Sequence, residues 1–186
     1  MAVLVEAISV IARRDAIEAK YPGGWSAFLA GTPNATLCYD DEIARIGFMV
    51  PQDVEAFISH LTGNGLTFLV NDKAEDIAVV DQQRGPTTDC DWLEFAKLPF
   101  GQAGGKVSAC WFFDRPRIAA GVHFRGKSID LATPPGWKFE ESLSHRFGFV
   151  PNEQVDDRLQ FVRKDNGVDV FLDRETGKEV YVGRRS

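Results

Sequence analysis

The segments "ARIGFMVPQDVEAF" at 44–57 and "HRFGFVPNEQVDDRL" at 145–159 state one local pattern twice. In each, an arginine precedes an apolar residue, a glycine and a phenylalanine, and a proline then opens a run with helical spacing. In the first copy a strand over 43–50 puts Ile46, Phe48 and Val50 on one face and Arg45, Gly47 and Met49 on the other. Pro51 suits a helix start, where its missing N–H costs little, and Val54, Phe57, Ile58 and Leu61 fall at i, i+3, i+4 and i+7. In the second copy Phe147 and Phe149 repeat the core face, Pro151 precedes the helix, and Val155, Leu159 and Val162 supply i, i+4 and i+7.

The echo continues downstream. "GNG" at 63–65 ends the first helix, and strands over 66–70 and 77–82 flank the polar turn "NDKAED". "NG" at 166–167 ends the second, and "VDVFL" and "KEVYVG" flank "DRETG". Upstream, "VEAISVIAR" from Val5 aligns with "VSACWFFDR" from Val107. Residues 3–84 and 105–186 are therefore read as two copies of one unit, with 85–104 connecting them inside a single compact domain, 1–186. Neither copy buries its apolar face without the other. The expected architecture is α+β: two similar β-α-β-β(β) modules about a pseudo-twofold axis, with helices outside and curved antiparallel sheets within.

A strand, a helix and three further strands, present twice, resemble the vicinal oxygen chelate superfamily of glyoxalases, extradiol dioxygenases and bleomycin-resistance proteins. The stretch "ARIGFMVPQDVEAFISHLTGNGLTFLVNDKAEDIAVVDQ" carries the likeness. The resemblance implies a metal-ligand histidine on the first strand of each module, but Arg45 and Arg146 stand in those places. A guanidinium offers only donors and cannot replace an imidazole on a metal. His145, one residue away, points to the other face of such a strand. Glu94 in "DWLEFA" is the nearest candidate for the carboxylate that the resemblance implies on the last strand. Either "DWLEFA" or "VSACWFF" could close the first module; the second choice would make the halves exchange strands. No metal and no cofactor is expected.

The net charge is −6, with a pI near 5.1, which argues against nucleic acid or an anionic lipid surface as partner. The apolar N-terminus is interrupted by charges well before the length of a membrane span and reads as a buried strand. Hydrophobic residues at 44% and charged residues at 26% describe a globular chain, monomeric or homodimeric, and not a disordered one. Cys38, Cys90 and Cys110 are far apart without metal-site spacing and read as free thiols of a cytoplasmic protein.

Four residues are candidates for a site. Arg45 and Arg146 share the face opposite the helices, where a pair of guanidinium groups could clamp a carboxylate or phosphate; the alternative is a structural salt bridge to Asp81 or Glu94. Trp92 and Glu94, on one face of a strand, could stack on a ligand and accept its proton; the alternative is an edge strand with a half-buried tryptophan. His60, His123 and His145 have no nucleophile signature with a cysteine, and "GQAGG" at 101–105 lacks the ending of a phosphate loop and reads as linker. "YPGGWSAFLAGTP" and "TPPGWKF" read as turns with an aromatic anchor. The leading expectation is a non-metal binding protein for a small organic or anionic ligand held by Arg45, Arg146, Trp92 and Glu94. An immunity- or inhibitor-like partner for another protein, with Trp25, Trp111, Phe112, Phe113 and Trp137 on its surface, is the alternative. A glyoxalase-like lyase, isomerase or dioxygenase is the third class.

Overall fold

The apolar run that opens the chain divides into two strands, β1 (Ala2–Val5) and β2 (Ile8–Arg13). The break falls where Ala7 adopts φ 52°, a left-handed conformation that a residue with a Cβ takes only when its surroundings hold it there. Gln82 holds it. The Ala7 N–H donates to Gln82 Oε1 at 3.0 Å, and the Gln82 N–H donates back to the Ala7 carbonyl at 2.9 Å. The computed structural model describes residues 1–100, 105–113, 130–146, 159–165, 168–173 and 179–182.

Each half of the broken run enters a different sheet. β2 lies at the centre of five strands, in the order β3-β4-β2-β7-β8, formed with Cys38–Tyr39, Ile43–Phe48, Ile77–Asp81 and Gly85–Pro86 respectively. A small ladder of β5 (Leu69–Val70) and β6 (Lys73–Ala74) stands apart. β1 lies between β10 (Gly105–Phe112) and β11 (Leu131–Ala132), with β9 (Leu93–Phe100) beyond β10. β2 runs antiparallel to both β4 and β7, so those two point the same way, and α3 (Pro51–Gly63) joins them across β2.

Period-two alternation divides the five-stranded sheet into two faces. Val10, Ala12, Ala44, Ile46, Phe48, Ile77 and Val79 pack with Ile17 of α1 (Arg14–Lys20), Phe28 of α2 (Gly24–Ala30) and Val54, Phe57 and Leu61 of α3. Ile11, Ile43, Ala78 and Val80 turn the other way and pack with Val3, Val5, Leu93 and Cys110 of the four-stranded sheet. The described N-terminal part is thus three layers: helices, five strands, four strands. Burying a side chain such as Leu61 or Ile11 contributes about 1.5–3 kcal/mol relative to leaving it in water. The strand Ile43–Phe48, the helix Pro51–Gly63 and the strand Ile77–Asp81 form as alternation and helical spacing predict, whereas the strand expected over 66–70 is reduced to Leu69–Val70 and pairs with Lys73–Ala74 inside the expected polar turn.

The second copy departs from expectation. Leu159–Asp165 is a strand, β12, and not the end of a helix. It pairs antiparallel with β13 (Val168–Asp173), which pairs with β14 (Glu179–Val182), so the two strands expected from "VDVFL" and "KEVYVG" do form. Leu159 and Val162 satisfy a helical spacing, but "LQF" also alternates, and the pairing with β13, whose register shifts between Phe161 and Arg163, decides. The register joins Asp165 to Val168 with only Asn-Gly between them, the dipeptide of two-residue hairpins as well as of helix ends. The rest of the expected second helix, 151–158, and its strand over 147–150 lie outside the described residues.

Two further expectations are corrected. "YPGGWSAFLAGTP" contains the helix α2, because Trp25 and Phe28 have a buried aromatic surface to pack on. The connecting segment 85–104 holds β8 and the whole of the eight-residue strand β9. Neither "DWLEFA" nor "VSACWFF" closes the sheet of the first module; their strands pair with each other in the second sheet, from Leu93–Phe112 to Phe100–Gly105.

Candidate functional site

Arg45 is placed on β4 by alternation, facing the four-stranded sheet as its position predicts, and it is 2% exposed. Its Nε donates to Ser9 Oγ at 2.8 Å, Nη1 to the Thr36 carbonyl at 3.1 Å and Nη2 to the Glu6 carbonyl at 2.8 Å. All three acceptors are uncharged. Beyond these three bonds the guanidinium meets no further described oxygen acceptor, and the Cys38 side chain hydrogen-bonds with it. Burial pulls the guanidinium below its usual pKa, while the Cys38 sulfur and the Glu6 carboxylate act the other way.

The neighbours of Arg45 are shaped to it. A Cβ at Gly47 would collide with Nη2 and Cζ, so the second residue on this face of the strand has to be glycine. The Gly47 N–H donates to Thr36 Oγ1 at 2.7 Å and its carbonyl accepts Asn34 Nδ2 at 3.0 Å. Asn34 Oδ1 in turn accepts the Thr36 N–H at 2.9 Å and hydroxyl at 2.6 Å. These bonds fix the Thr36 carbonyl that receives Nη1.

Arg45 forms part of the wall of an open pocket of about 260 Å³. Glu6 and Thr36 add its other polar side chains; Phe48, Met49, Pro134, Pro135, Trp137 and Leu143 make its body apolar. The Glu6 carboxylate secures the far wall. Oε2 accepts the Trp137 indole N–H at 3.2 Å, and Oε1 accepts the Ser144 N–H at 3.0 Å and hydroxyl at 2.8 Å. Glu6 therefore serves both sides of the pocket: its carbonyl receives Arg45 and its carboxylate holds the segment around Trp137 and Ser144.

Trp92 and Glu94, two of the other expected site residues, do not join Arg45. Trp92 is 8% exposed, donates its indole N–H to the Ala74 carbonyl at 3.0 Å and stacks on Phe112, so it anchors the core between the sheets and lines no part of this pocket. Glu94 pairs with Trp111 across β9 and β10, on the face opposite Phe95 and Cys110, and so points away from the five-stranded sheet. Arg146 closes a four-residue helix, α4 (Leu143–Arg146), instead of standing in a strand; its side chain lies outside the described residues. Helix formation there follows from Glu6, whose carboxylate accepts the N–H and hydroxyl of Ser144 in the first turn.

The structural alternative for Arg45 fails as well. No described carboxylate pairs with it: Asp81 Oδ1 accepts the N–H groups of Gln83 and Arg84 instead. Cys38, Cys90 and Cys110 are free thiols, and burial raises all three, Cys110 most strongly; they are poor nucleophiles. Trp25, Trp111, Phe112, Phe113 and Trp137, expected on an exposed surface, are all half-buried. Among the described residues no group of three His, Cys, Asp or Glu side chains stands together to hold a metal ion, and no helix is long and apolar enough to cross a membrane.

Sequence reasoning missed Glu6, Trp137 and Met49. Glu6 had a signal: it is the one charge within "AVLVEAISVIA", an acid between two strands that must both be buried. Trp137 had none, because it meets Glu6 from 131 residues away. Comparison of the chain with family models, with curated proteins and with solved structures gives no match.

Proposed function

We propose that this protein binds a small organic anion in the pocket of Arg45. One observation carries the reading: a buried guanidinium, satisfied by neutral acceptors and without a carboxylate partner, borders a concave apolar pocket. A buried charge is retained where it is paired or used, and an anionic acceptor for a charge-assisted bond from Arg45 is what an incoming carboxylate or phosphate would supply. The pocket volume of about 260 Å³ falls just below the range of about 300–1,000 Å³ for drug-sized ligands, so the occupant is small. The binding set is Arg45 with the Glu6–Trp137 wall and the apolar lining.

The resemblance to glyoxalase- and bleomycin-resistance-like proteins is retained in this proposal only as a scaffold analogy. It is supported by β4, α3 and β7 and by the inward face of Arg45. The reading requires neither the duplication nor a metal, and Arg146, Trp92 and Glu94 have no part in it.

Thermal unfolding in the presence of small anions and their neutral isosteres tests the reading. An anion at a hundred times its Kd is expected to raise Tm by about 5–10 °C, with no response in the Arg45→Gln protein, checked for folding by circular dichroism. Equal shifts from the neutral isosteres would defeat it. Protein docking is the second reading, favoured by Phe161 and Val162, exposed by 56% and 46% on β12. Specific capture of one partner that is lost on Phe161→Ser would support it.

A further inference from the structure

The anion reading leaves carboxylates and phosphates equally eligible, and the charge balance of the pocket separates them. Among its described lining residues Arg45 is the one cation and Glu6 the one anion. They are close neighbours: the carbonyl of Glu6 accepts Nη2 of Arg45 at 2.8 Å, and the carboxylate of Glu6 favours the charged form of that guanidinium. The geometry points to a monocarboxylate with a flat apolar body as the ligand class, with Glu6 as the residue that excludes dianions. This rests on the anion-binding reading above and narrows it.

Arg45 and Glu6 already cancel, so a single carboxylate on the guanidinium leaves the lining with one net negative charge and a dianion would leave it with two. A second charge would meet no further described cation and would face the like charge of the Glu6 carboxylate. Phosphate monoesters carry nearly two charges above their second pKa of about 6, so at pH 8 they are poor occupants. Glu6 cannot turn aside to relieve this, since both of its oxygens are engaged by Trp137 and Ser144 on a half-buried wall. Beyond the charged end the lining is aromatic, aliphatic and thioether: Phe48, Met49, Pro134, Trp137 and Leu143. A planar ring can be accommodated between an indole and such neighbours.

The test is isothermal titration of the full chain at pH 8 with phenylacetate, phenyl phosphate and phenylacetamide. Phenylacetate is expected to bind about tenfold or more tightly than phenyl phosphate, and phenylacetamide more weakly than phenylacetate. In Glu6→Gln the preference over phenyl phosphate should shrink severalfold. A Trp137→Phe, Ser144→Ala protein, which loses the two side-chain wall bonds and keeps the carboxylate, should retain it. Phenyl phosphate binding as well as phenylacetate would overturn the monocarboxylate assignment and leave the anion reading standing. Phenylacetamide binding as well as phenylacetate would overturn both, as would the absence of binding by all three. A preference unchanged in Glu6→Gln would remove Glu6 as its source.

Discussion

The two faces of the five-stranded sheet are built from the same alternating strands, yet they differ in kind. The face under α1, α2 and α3 is apolar throughout, with Val10, Ile46, Ile77, Phe57 and Leu61 in one cluster. The face toward the four-stranded sheet carries a polar inlay among Ile11, Ile43 and Val80: Ser9, Arg45 and Gln82 are buried there, and Ser108 of the four-stranded sheet is buried against them. Each has partners, the Ser108 hydroxyl donating to the Gln82 carbonyl at 2.6 Å. A core that only had to be stable would not need such groups, because replacing a buried polar set by apolar residues of similar shape is often neutral or favourable. The helix side stabilises the fold; the sheet side forms the pocket.

That contrast can be broken by experiment. Leu61→Ala on the helix side should cost about 2–5 kcal/mol in denaturant unfolding and leave the relative affinity for anions unchanged. Arg45→Met on the sheet side should cost less, about 1–3 kcal/mol, because the orphaned Ser9, Thr36 and Glu6 acceptors are partly offset by relief of a buried charge; it should abolish anion-dependent stabilisation. A larger loss from Arg45→Met than from Leu61→Ala would reverse the division of labour. Gly47→Ala should cost about 1 kcal/mol by overpacking and weaken anion binding by displacing the guanidinium, both read in one thermal titration.

The smallest effect concerns alkaline pH. Cys38 and Cys110 have folded-state pKa values above the ordinary 9.0 because burial disfavours the thiolate. A raised folded value means the folded state binds the proton more tightly, so the stabilisation is complete below the unfolded thiol value. It declines as pH rises from there toward the folded one. The denaturant midpoint should therefore fall between pH 8 and pH 10, and Cys110→Ala should flatten that fall; an unchanged slope would place its origin elsewhere.

The strand-to-helix unit at 43–63 was legible because alternation and helical spacing there exclude each other: Arg45 sits between Ala44 and Ile46, which both pack toward helices. Over 159–162 the two periods coexist, and pairing with β13 chose between them. Gly23 and Gly24, both at positive φ, disguised α2 as a turn. Arg45 was visible as an inward cation, but the wall opposite it depends on contacts between Glu6 and Ser144 that span 138 residues. No local pattern records such a separation. Trp92 was misread because a lone aromatic beside acids resembles a pocket mouth, whereas its indole N–H is bonded to a backbone carbonyl in the core.

The break at Ala7 also bears on the order in which the chain can assemble. Ten residues around it supply a central strand to each of two sheets, and the partners emerge far apart in synthesis: β4 and β7 for one half, β10 for the other. At ordinary translation speeds, about 5–20 residues per second, β1 waits roughly 5–20 s for the hundred residues that lead to its neighbour. During that interval Ala2–Val5 is an apolar strand with both edges unpaired, next to a β2 already able to pair. Ala2–Val5 is made about a hundred residues before the strand that covers it on one side, and a nascent chain halted before Gly105 would present it to whatever binds hydrophobic segments at the ribosome exit.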